Sequence, residues 1–578
     1  MDAISMGAIR MRAAVAAGER DNLSRSELFA IASPAANRRR RVLIVAVIAL
    51  VCMVAVHGIG KGEFDYNVDE AQHGVTGLFV ADALHDLPLA HPVEYAYRYY
   101  AQYPSVALVH WPPLFYVAEA FFFRILGPGV VAARITVLMF TILLLYQWFR
   151  LVEELQDSYT AAVCTAVLGL LPVMLLFEKT VMLEIPSLAL AIAAIRSWIR
   201  YLDLGHRADV YAFGLWLAAA LLCKQTDIFL LLFFVLSVIV LRKRRNILTR
   251  DCLLAIALCG ILAGPFYLLM LMAQGGEEAH NLARHQLPGI ARITFYVTCL
   301  PATLTLPLCL LSLMGIATAG KWNRRRQVAP MICWVIAGYL TFTFFGQKDS
   351  RFSIYFLPPL IYFAVGFLMR FFSVPRVRLA MRACALFLVG FLAVKGWAHE
   401  RPYISGYKDA ASYLIQTYGS GIVLFDGNVP GNFVFYMRAL DPRRQFLTLR
   451  KSLYVSDIRE DATSQELLHD RGELLDLFKR DGVRFVVIQD PERNRFQSQK
   501  ILRDAMREPQ FHLVKAFPVA SNEPQWQGVT LLLYENMEWA APLDRQLRIR
   551  MLTLSHDIVV PLDRFDFVKG RNKAEGQK

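Results

Sequence analysis

Long apolar runs separated by short polar segments dominate the first two thirds of the chain. A helix that crosses a membrane needs about 20 predominantly apolar residues. The pattern therefore predicts a mainly α-helical, polytopic membrane bundle over residues 42–397, which follows an N-terminal tail of residues 1–41. The runs that approach the required length are 42–58, 113–126, 130–149, 159–177, 185–202, 209–223, 226–241, 252–273, 293–319, 328–345, 352–371 and 379–397.

The run at 113–126 differs from the other eleven. It has about 14 residues, it contains Glu119 and Arg124, and two prolines precede its helical part. Basic clusters face the cytoplasm, and the four clusters of this chain share one side only if this run does not cross. We therefore predict a helix at the outer membrane interface here and about 11 transmembrane helices elsewhere.

The basic clusters also predict the orientation of the chain. They are Arg38–Arg41, Arg242–Arg245, Lys321 with Arg324–Arg326, and Arg370–Arg382. With these residues inside, the N-terminus is cytoplasmic, the protein lies in the plasma (inner) membrane, and the first outer loop covers about 59–129. Residues 398–578 then lie outside.

The last third of the chain alternates short apolar runs with amphipathic segments. Residues 422–425, 485–488 and 529–534 have the pattern of buried strands, and residues 408–418 and 464–479 that of helices. We predict a soluble α/β domain over 398–578.

Composition narrows the class of protein. Of 578 residues, 56 % are hydrophobic and 19 % charged, whereas soluble proteins carry about 25 % charge. This excludes a disordered chain and a purely soluble enzyme. The net charge of +14 arises in the short clusters between spans, so it indicates membrane topology and not nucleic-acid binding. The nine cysteines lie in or beside apolar runs, and the polar C-terminal third has none.

Acidic residues stand at the predicted outer ends of two spans. Asn67 and Glu70 fit the N-cap and N3 positions of a capping box, and Asp69 between them could serve as a general base. A cap would also hold that base rigidly, so the two interpretations are compatible. Glu184 could stabilise a helix start, orient an acceptor or share a divalent metal ion. We expect Asp69, Glu70 and Glu184 to be the catalytic carboxylates.

Three cations lie on the same predicted face. Lys224 could be a lysine that extends to the interface from a helix end. Lys348 and Arg351 flank a predicted helix start, where the helix dipole disfavours positive charge. A bound phosphate would offset that cost. The three residues are therefore predicted to bind a donor phosphate.

Aromatic and histidine side chains complete the candidates. His110 precedes the interfacial helix, and Tyr99 and Tyr100 belong to a tyrosine-rich stretch of the first outer loop that suits sugar stacking. We expect these three residues to position acceptor or donor. His280 and His285 lie in another outer loop as weaker candidates for metal ligands. No Walker or Rossmann glycine motif is present.

These motifs, in this order and on this face, resemble those of the GT-C glycosyltransferases. The resemblance is strongest to the glycosyltransferase family 39 group, which includes protein O-mannosyltransferases and the aminoarabinose lipid A transferase. The stretches that carry it span about 60–370 and are Val68-Asp69-Glu70-Ala71, His110-Trp111-Pro112-Pro113-Leu114, Ala132-Ala133-Arg134, Met182-Leu183-Glu184-Ile185-Pro186, Lys224-Gln225-Thr226 and Lys348-Asp349-Ser350-Arg351-Phe352.

The resemblance implies transfer of a sugar from a polyprenyl-phosphate donor on the outer face. The acceptor would be a lipid, a glycan or a protein. Asp69 matches the catalytic carboxylate of the first loop, and one displacement would invert the anomeric centre. Glu184 stands where relatives usually have aspartate, and Trp111 where the lipid A enzyme has lysine.

Other functions remain open at this stage. A ligase that moves a preassembled glycan from a diphosphate lipid should need more than three cations. An exporter of lipid-linked sugars should carry polar residues at the centres of its spans. A glycan-binding sensor should depend on the C-terminal region and tolerate loss of Asp69 and Glu184.

Overall fold

The structure is a computed structural model. It describes residues 34–64, 67–274, 287–322, 325–370, 375–456, 464–491, 496–543, 546–551, 554 and 556–565.

Helices fill the chain up to residue 398. They are α1 (Pro34–Val56), α2 (Asn67–Asp86), α3 (Pro92–Gln102), α4 (Leu114–Leu126), α5 (Val130–Leu155), α6 (Ser158–Leu170), α7 (Pro172–Glu178), α8 (Glu184–Leu204), α9 (Arg207–Leu221), α10 (Phe229–Leu241), α11 (Arg244–Ile247), α12 (Arg250–Gln274), α13 (Gly289–Thr303), α14 (Leu306–Thr318), α15 (Arg325–Phe344), α16 (Leu357–Arg370) and α17 (Pro375–Ala398). Short 3₁₀ helices precede α10 (Gln225–Ile228), follow α14 (Ala319–Trp322) and precede α16 (Ser350–Phe356).

The eleven runs predicted to span are all helical, but fewer pass a strict test of length and composition. Among the residues that the structure describes, six helices are long and apolar enough to cross a membrane, and the number rises to eight if each of two bent pairs is one span. The pairs are α6 with α7, bent by 69°, and α13 with α14, bent by 118°. Of the rest, α1 contains four arginines, and α9 and α10 are short. The chain is a multi-pass membrane protein.

Burial separates the helices that form the centre of the bundle from those at its surface. The most apolar stretch of α8 is 89 % buried, whereas that of α17 is only 17 % buried. Because polar backbone is satisfied within each helix, an apolar outer surface suits contact with lipid tails. Helix α8 is therefore a central helix of the bundle, and α17 lies at its surface.

The segment that the sequence predicts to be the first outer loop contains α2, α3 and α4. Helix α4 has 13 residues, too few to cross a bilayer. It packs against α2 so closely that Oε2 of Glu119 lies 2.0 Å from the position a Cβ would take at Gly77. Its position at the outer membrane interface stays a prediction.

The C-terminal region contains all eleven strands of the described chain. Its elements are β1 (Ile404–Ser405), α18 (Tyr407–Tyr418), β2 (Gly421–Asp426), α19 (Pro430–Ala439), β3 (Phe446–Leu449), β4 (Tyr454–Ser456), β5 (Ser464–Glu466), α20 (Arg471–Asp481), β6 (Phe485–Asp490), α21 (Gln497–Ala505), β7 (Phe511–Pro518), β8 (Ala520–Ser521), β9 (Thr530–Asn536), β10 (Gln546–Ile549) and β11 (Ile558–Pro561).

Five strands form the main sheet, in the order β3-β2-β6-β9-β7. Strands β3, β2 and β6 are parallel, and β9 is antiparallel to both β6 and β7. The other strands form three antiparallel pairs. The predicted α/β class is therefore confirmed. The helix predicted over 464–479 is wrong at its start, since 464–466 is strand β5 and α20 begins at Arg471 behind the N-cap Asp470.

The C-terminal region is attached directly to the segment that leads into α2. Asn432 of α19 accepts a hydrogen bond from Phe64 N at 3.2 Å and donates to Phe64 O at 2.5 Å. One residue earlier, a Cβ at Gly431 would lie 2.7 Å from Ala71 Cβ. Glu63 accepts hydrogen bonds from the backbone of Gly406 and Lys408 at the start of α18, at 3.1 and 3.0 Å. The two regions therefore pack as one body around the first residues of α2.

Candidate active site

Asp69 lies in the first turn of α2 and faces an arginine from a distant part of the chain. Its Oδ2 is 3.3 Å from Nη1 of Arg351, and 20 % of the Asp69 side chain is exposed. A carboxylate is favoured at a helix N-terminus by the helix dipole. Asp69 is therefore partly accessible to solvent and held by an opposite charge.

Arg351 is the centre of the cluster. Asp349 caps the 3₁₀ helix by accepting from Arg351 N at 2.9 Å, and its other oxygen lies 2.9 Å from Arg351 Nε. The same Nε is 3.7 Å from Oε1 of Glu184. Arg351 thus faces three carboxylates from three segments, while 14 % of its side chain remains exposed.

Lys224 extends the cluster through Glu184. Glu184 opens α8 and is fully buried, and its Oε1 lies 2.6 Å from Lys224 Nζ. Counted as ionised, three carboxylates and two cations leave one net negative charge. Four separate segments supply these residues, so only the folded bundle brings them together.

A buried hydrogen-bond network supports the cluster from behind. Ser187 donates to Asp227 Oδ2 at 2.8 Å and lies 2.9 Å from the Tyr355 hydroxyl, which also accepts from Thr226 at 2.7 Å. Because Ser187 gives its proton to Asp227, Tyr355 is the donor to Ser187. Each segment of the network carries a cluster residue within one helical turn, so the network fixes the three segments relative to one another.

Aromatic side chains border Asp69 on the side of α4. His73, one turn after Asp69 on α2, is hydrogen-bonded through Nδ1 to the Tyr116 hydroxyl at 2.8 Å. Its ring lies 4.3 Å from that of Trp111, and Trp111 lies 4.6 Å from His110. Burial, followed by the nearby positive charge of Lys224 and Arg351, lowers the pKa of His73 well below its usual value. His73 is thus neutral.

Three predicted site residues have contacts outside the cluster. Glu70 is fully buried and accepts from Val181 N at 3.0 Å, so it links α2 to the segment before α8. Tyr99 donates to Asp82 at 2.7 Å and Tyr100 packs below Lys451; both rings are buried beside the C-terminal region and offer no open face for a sugar.

Lys348 also differs from its predicted environment. Its Nζ donates to the carbonyls of Phe342, Thr343 and Phe345 at 2.6–2.8 Å. It therefore caps the C-terminal end of α15, where the dipole favours a cation. Burial and then the charge of Arg292 lower its pKa to about 8. His110 contributes its backbone carbonyl to a hydrogen bond from Gln225. His280 and His285 lie outside the described residues.

Sequence patterns did not identify four residues of the site, namely Asp349, His73, Asp227 and Tyr355. Asp349 precedes the helix that bears Arg351, and an aspartate there is a common N-cap, so this residue could have been found. His73 follows Asp69 by four residues, which places both on one helix face. The partners of Asp227 and Tyr355 are distant in sequence, and no local signal identifies them.

The cluster does not suit a divalent metal ion. Within the described ranges, no group of three histidine, cysteine or acidic side chains is arranged to hold one. The carboxylates of Asp69, Asp349 and Glu184 instead surround the guanidinium of Arg351. The arrangement provides a carboxylate open to solvent next to two cations, which suits proton removal beside an anionic ligand.

Part of the chain matches the model of a known protein family. A family model described as dolichyl-phosphate-mannose-protein mannosyltransferase matches residues 110–268. No curated protein matches the sequence.

Solved structures match over most of the chain. ArnT from Cupriavidus metallidurans bound to undecaprenyl phosphate matches with a TM-score of 0.59 and 13 % identity over 86 % of this chain and 98 % of that chain. The oligosaccharyltransferase of Archaeoglobus fulgidus, in complex with Zn and sulfate, matches with a TM-score of 0.52 and 12 % identity over 77 % and 68 %. The chain therefore has the GT-C fold of membrane glycosyltransferases, as its motifs predicted.

Proposed function

We propose that this protein is a membrane glycosyltransferase that moves a sugar from a polyprenyl-phosphate donor to an acceptor hydroxyl at the outer face of the plasma membrane. The observation that carries the proposal is the partly exposed Asp69 carboxylate, 3.3 Å from Arg351 in a cluster that also holds Lys224. ArnT, which shares the fold, was solved with undecaprenyl phosphate. The acceptor is a lipid, a glycan or a protein.

Asp69 acts as the general base. It removes the proton of the acceptor hydroxyl, and the hydroxyl oxygen attacks the anomeric carbon. The bond from that carbon to the phosphate oxygen breaks, and its electron pair leaves with polyprenyl phosphate. One displacement inverts the anomeric configuration.

Arg351 and Lys224 stabilise the negative charge that develops on the leaving phosphate. Their partners Asp349 and Glu184 hold them in place through ion pairs of 2.9 and 2.6 Å. Glu70 positions Asp69 indirectly, since it joins α2 to the backbone at Val181. Lys348 contributes to the local fold through its contacts with α15.

The test compares wild-type protein with Asp69→Asn, purified in detergent. Each is incubated with polyprenyl-phosphate and polyprenyl-diphosphate sugars plus candidate acceptors, and released polyprenyl phosphate is measured by mass spectrometry. We expect release from monophosphate donors by the wild type and at least a 100-fold loss in the variant. Asp86→Asn is the matched control, because Asp86 lies at the other end of α2 and is also paired with an arginine.

Other results would favour the other functions. Release from diphosphate donors alone would identify a glycan ligase. Equal release by wild type and Asp69→Asn would exclude Asp69 as the base. Tight glycan binding without turnover of any donor would identify a sensor.

A further inference from the structure

A cavity lined by four consecutive basic residues lies at the end of α10. Its volume is about 590 Å³, and its lining is Ile239, Arg242, Lys243, Arg244, Arg245 and Asn246. The chain turns sharply here: Arg242 adopts a left-handed conformation with φ of 58° and ends α10. This turn brings side chains before and after it to one cavity.

No acidic group within the described parts of the chain forms an ion pair with these four cations. The structure records no ion pair for residues 242–245 within the parts of the chain that it describes. The C-terminal end of a helix carries roughly half a negative charge, which is far less than four positive charges. The cavity is therefore strongly electropositive.

Basic residues on neighbouring helices behave differently. Arg196 lies 2.6 Å from Glu154, Arg200 lies 2.8 Å from Asp209, and Arg207 lies 2.7 Å from Asp251. Arg196 and Arg200 lie in the C-terminal half of α8, and Arg207 opens α9. Within the described parts of the chain these three arginines have acidic partners, whereas no ion pair involves residues 242–245.

An apolar stripe leads along α10 into the cavity. Ile228, Leu231, Val235 and Ile239 follow at spacings of three and four residues, which places them on one helix face. They are 47–54 % exposed, whereas Leu230 and Phe233 on the opposite face are fully buried. Ile239 also lines the cavity. The exposed apolar stripe of α10 is thus continuous with the cationic cavity.

The cavity is separate from the candidate active site. Lys224 lies just before the 3₁₀ helix that opens into α10, and the cavity lies beyond the other end of α10. Thirteen helical residues between them correspond to roughly 20 Å. An occupant of the cavity is not the donor phosphate.

We propose that this cavity binds the phosphate headgroup of an anionic phospholipid, with an acyl chain along the α10 stripe. The cations supply attraction for the phosphate, and the stripe supplies apolar contact that free phosphate would not use. The site is independent of the proposed glycosyl transfer.

The test measures lipid binding to delipidated protein by native mass spectrometry. Phosphatidylglycerol and phosphatidylcholine are titrated separately into wild type, Arg242→Gln/Arg244→Gln and Lys321→Gln/Arg326→Gln. The last pair removes two charges from another basic cluster and is the matched control. We expect wild type to prefer phosphatidylglycerol, the first variant to lose about 25-fold in affinity because each cation contributes about fivefold, and the control to change by less than about twofold.

Further variants and a competitor distinguish loss of charge from misfolding, and lipid binding from binding of free phosphate. Arg242→Lys/Arg244→Lys keeps the charges and should retain most of the binding. If the Gln variant does not fold by gel filtration, Arg244→Gln alone replaces it, with an expected loss of about fivefold. Equal binding of both lipids, equal losses in variant and control, or displacement of the lipid by an equal concentration of inorganic phosphate would overturn the proposal.

Discussion

Lys224 and Glu184 form an ion pair of 2.6 Å in which both side chains are buried. Removal of one partner leaves the other charge buried, which commonly costs 3–5 kcal/mol. Because Arg351 also faces Glu184, we expect Lys224→Met to destabilise the protein by about 3 kcal/mol. Equilibrium unfolding in detergent measures the change. In the double variant Lys224→Met/Glu184→Leu, a cost equal to the sum of the single costs would show that the two charges are not coupled.

A variant of Lys348 distinguishes a structural role of this residue from a role in phosphate binding. Its three contacts with carbonyls of α15 and the following turn predict that Lys348→Met lowers the melting temperature and changes the KM for the donor by less than about twofold. Arg351→Met, in contrast, should abolish measurable transfer. Donor titration with both purified variants provides the comparison. A large rise in donor KM for Lys348→Met alone would return this residue to the phosphate site.

Titration of the Glu63 carboxyl group should make the free energy of unfolding depend on pH between about 4.5 and about 7. Burial, opposed by hydrogen bonds from Lys408 and Gly406, raises its pKa from 4.5 to about 7. The folded state then binds this proton more tightly than the unfolded state, so stability falls as pH rises from about 4.5 to about 7. The full effect is about 3 kcal/mol.

The measurement is the melting temperature of wild type and Glu63→Gln between pH 4.5 and pH 8. The variant should show a flatter profile, since its side chain does not titrate. Parallel profiles for the two proteins would contradict this assignment. Glu94→Gln, at an exposed ion pair with Arg564, is a control for removal of a carboxylate elsewhere between α1 and α5.

Because Gly77 has no side chain, the side chain of Glu119 can occupy the space beside it. An alanine Cβ would lie 2.0 Å from Glu119 Oε2, so Gly77→Ala must displace this side chain. We expect a loss of about 1–3 kcal/mol, typical of overpacking. Burial raises the pKa of Glu119 well above its usual value, so the displaced group is neutral. Glu119→Ala in the same chain should recover most of the loss, and thermal unfolding tests whether it does.

A variant of Tyr355 tests the buried hydrogen-bond network that supports the cluster of Asp69, Arg351, Glu184 and Lys224. Tyr355→Phe removes the hydroxyl that links Ser187 and Thr226, and we expect kcat to fall about tenfold because Arg351 and Glu184 are less well positioned. Tyr362→Phe is the matched control, because this tyrosine also carries a buried hydroxyl on the next helix. Adding Ser187→Ala to Tyr355→Phe should lower kcat further, because it also removes the hydrogen bond to buried Asp227. Equal loss in Tyr362→Phe would point to a general effect on folding.

The sequence predicted the cluster where its residues stand at the ends of apolar runs. Glu184, Lys224 and Arg351 each stand directly beside such a run, and Asp69 follows the first one by about ten residues. Charges near span ends are informative because they are costly there. The GT-C fold followed from the order of these motifs. The sequence did not identify Asp349 as a cluster residue, because an aspartate at an N-cap position gives no sign of a second contact, here with Arg351 Nε.

Other assignments depended on contacts that no local pattern encodes. Glu70 is adjacent to Asp69, but a helix turns by about 100° per residue, and its partner Val181 lies 111 residues away. Lys348 was expected at a helix start, yet its flexible chain extends back to the preceding helix end. Tyr99 and Tyr100 became buried because the C-terminal region covers them, which depends on residues beyond 430.

The two hydrogen bonds between Asn432 and Phe64 limit how this architecture can diversify. An exchange of the C-terminal region with that of another protein of the same fold would have to include the segment that Asn432 holds, because this segment leads into α2 and Asp69. Chimeras joined at the end of α17 should therefore need residues 59–64 and α19 from the same parent. The C-terminal region and the segment before α2 must in this way change together.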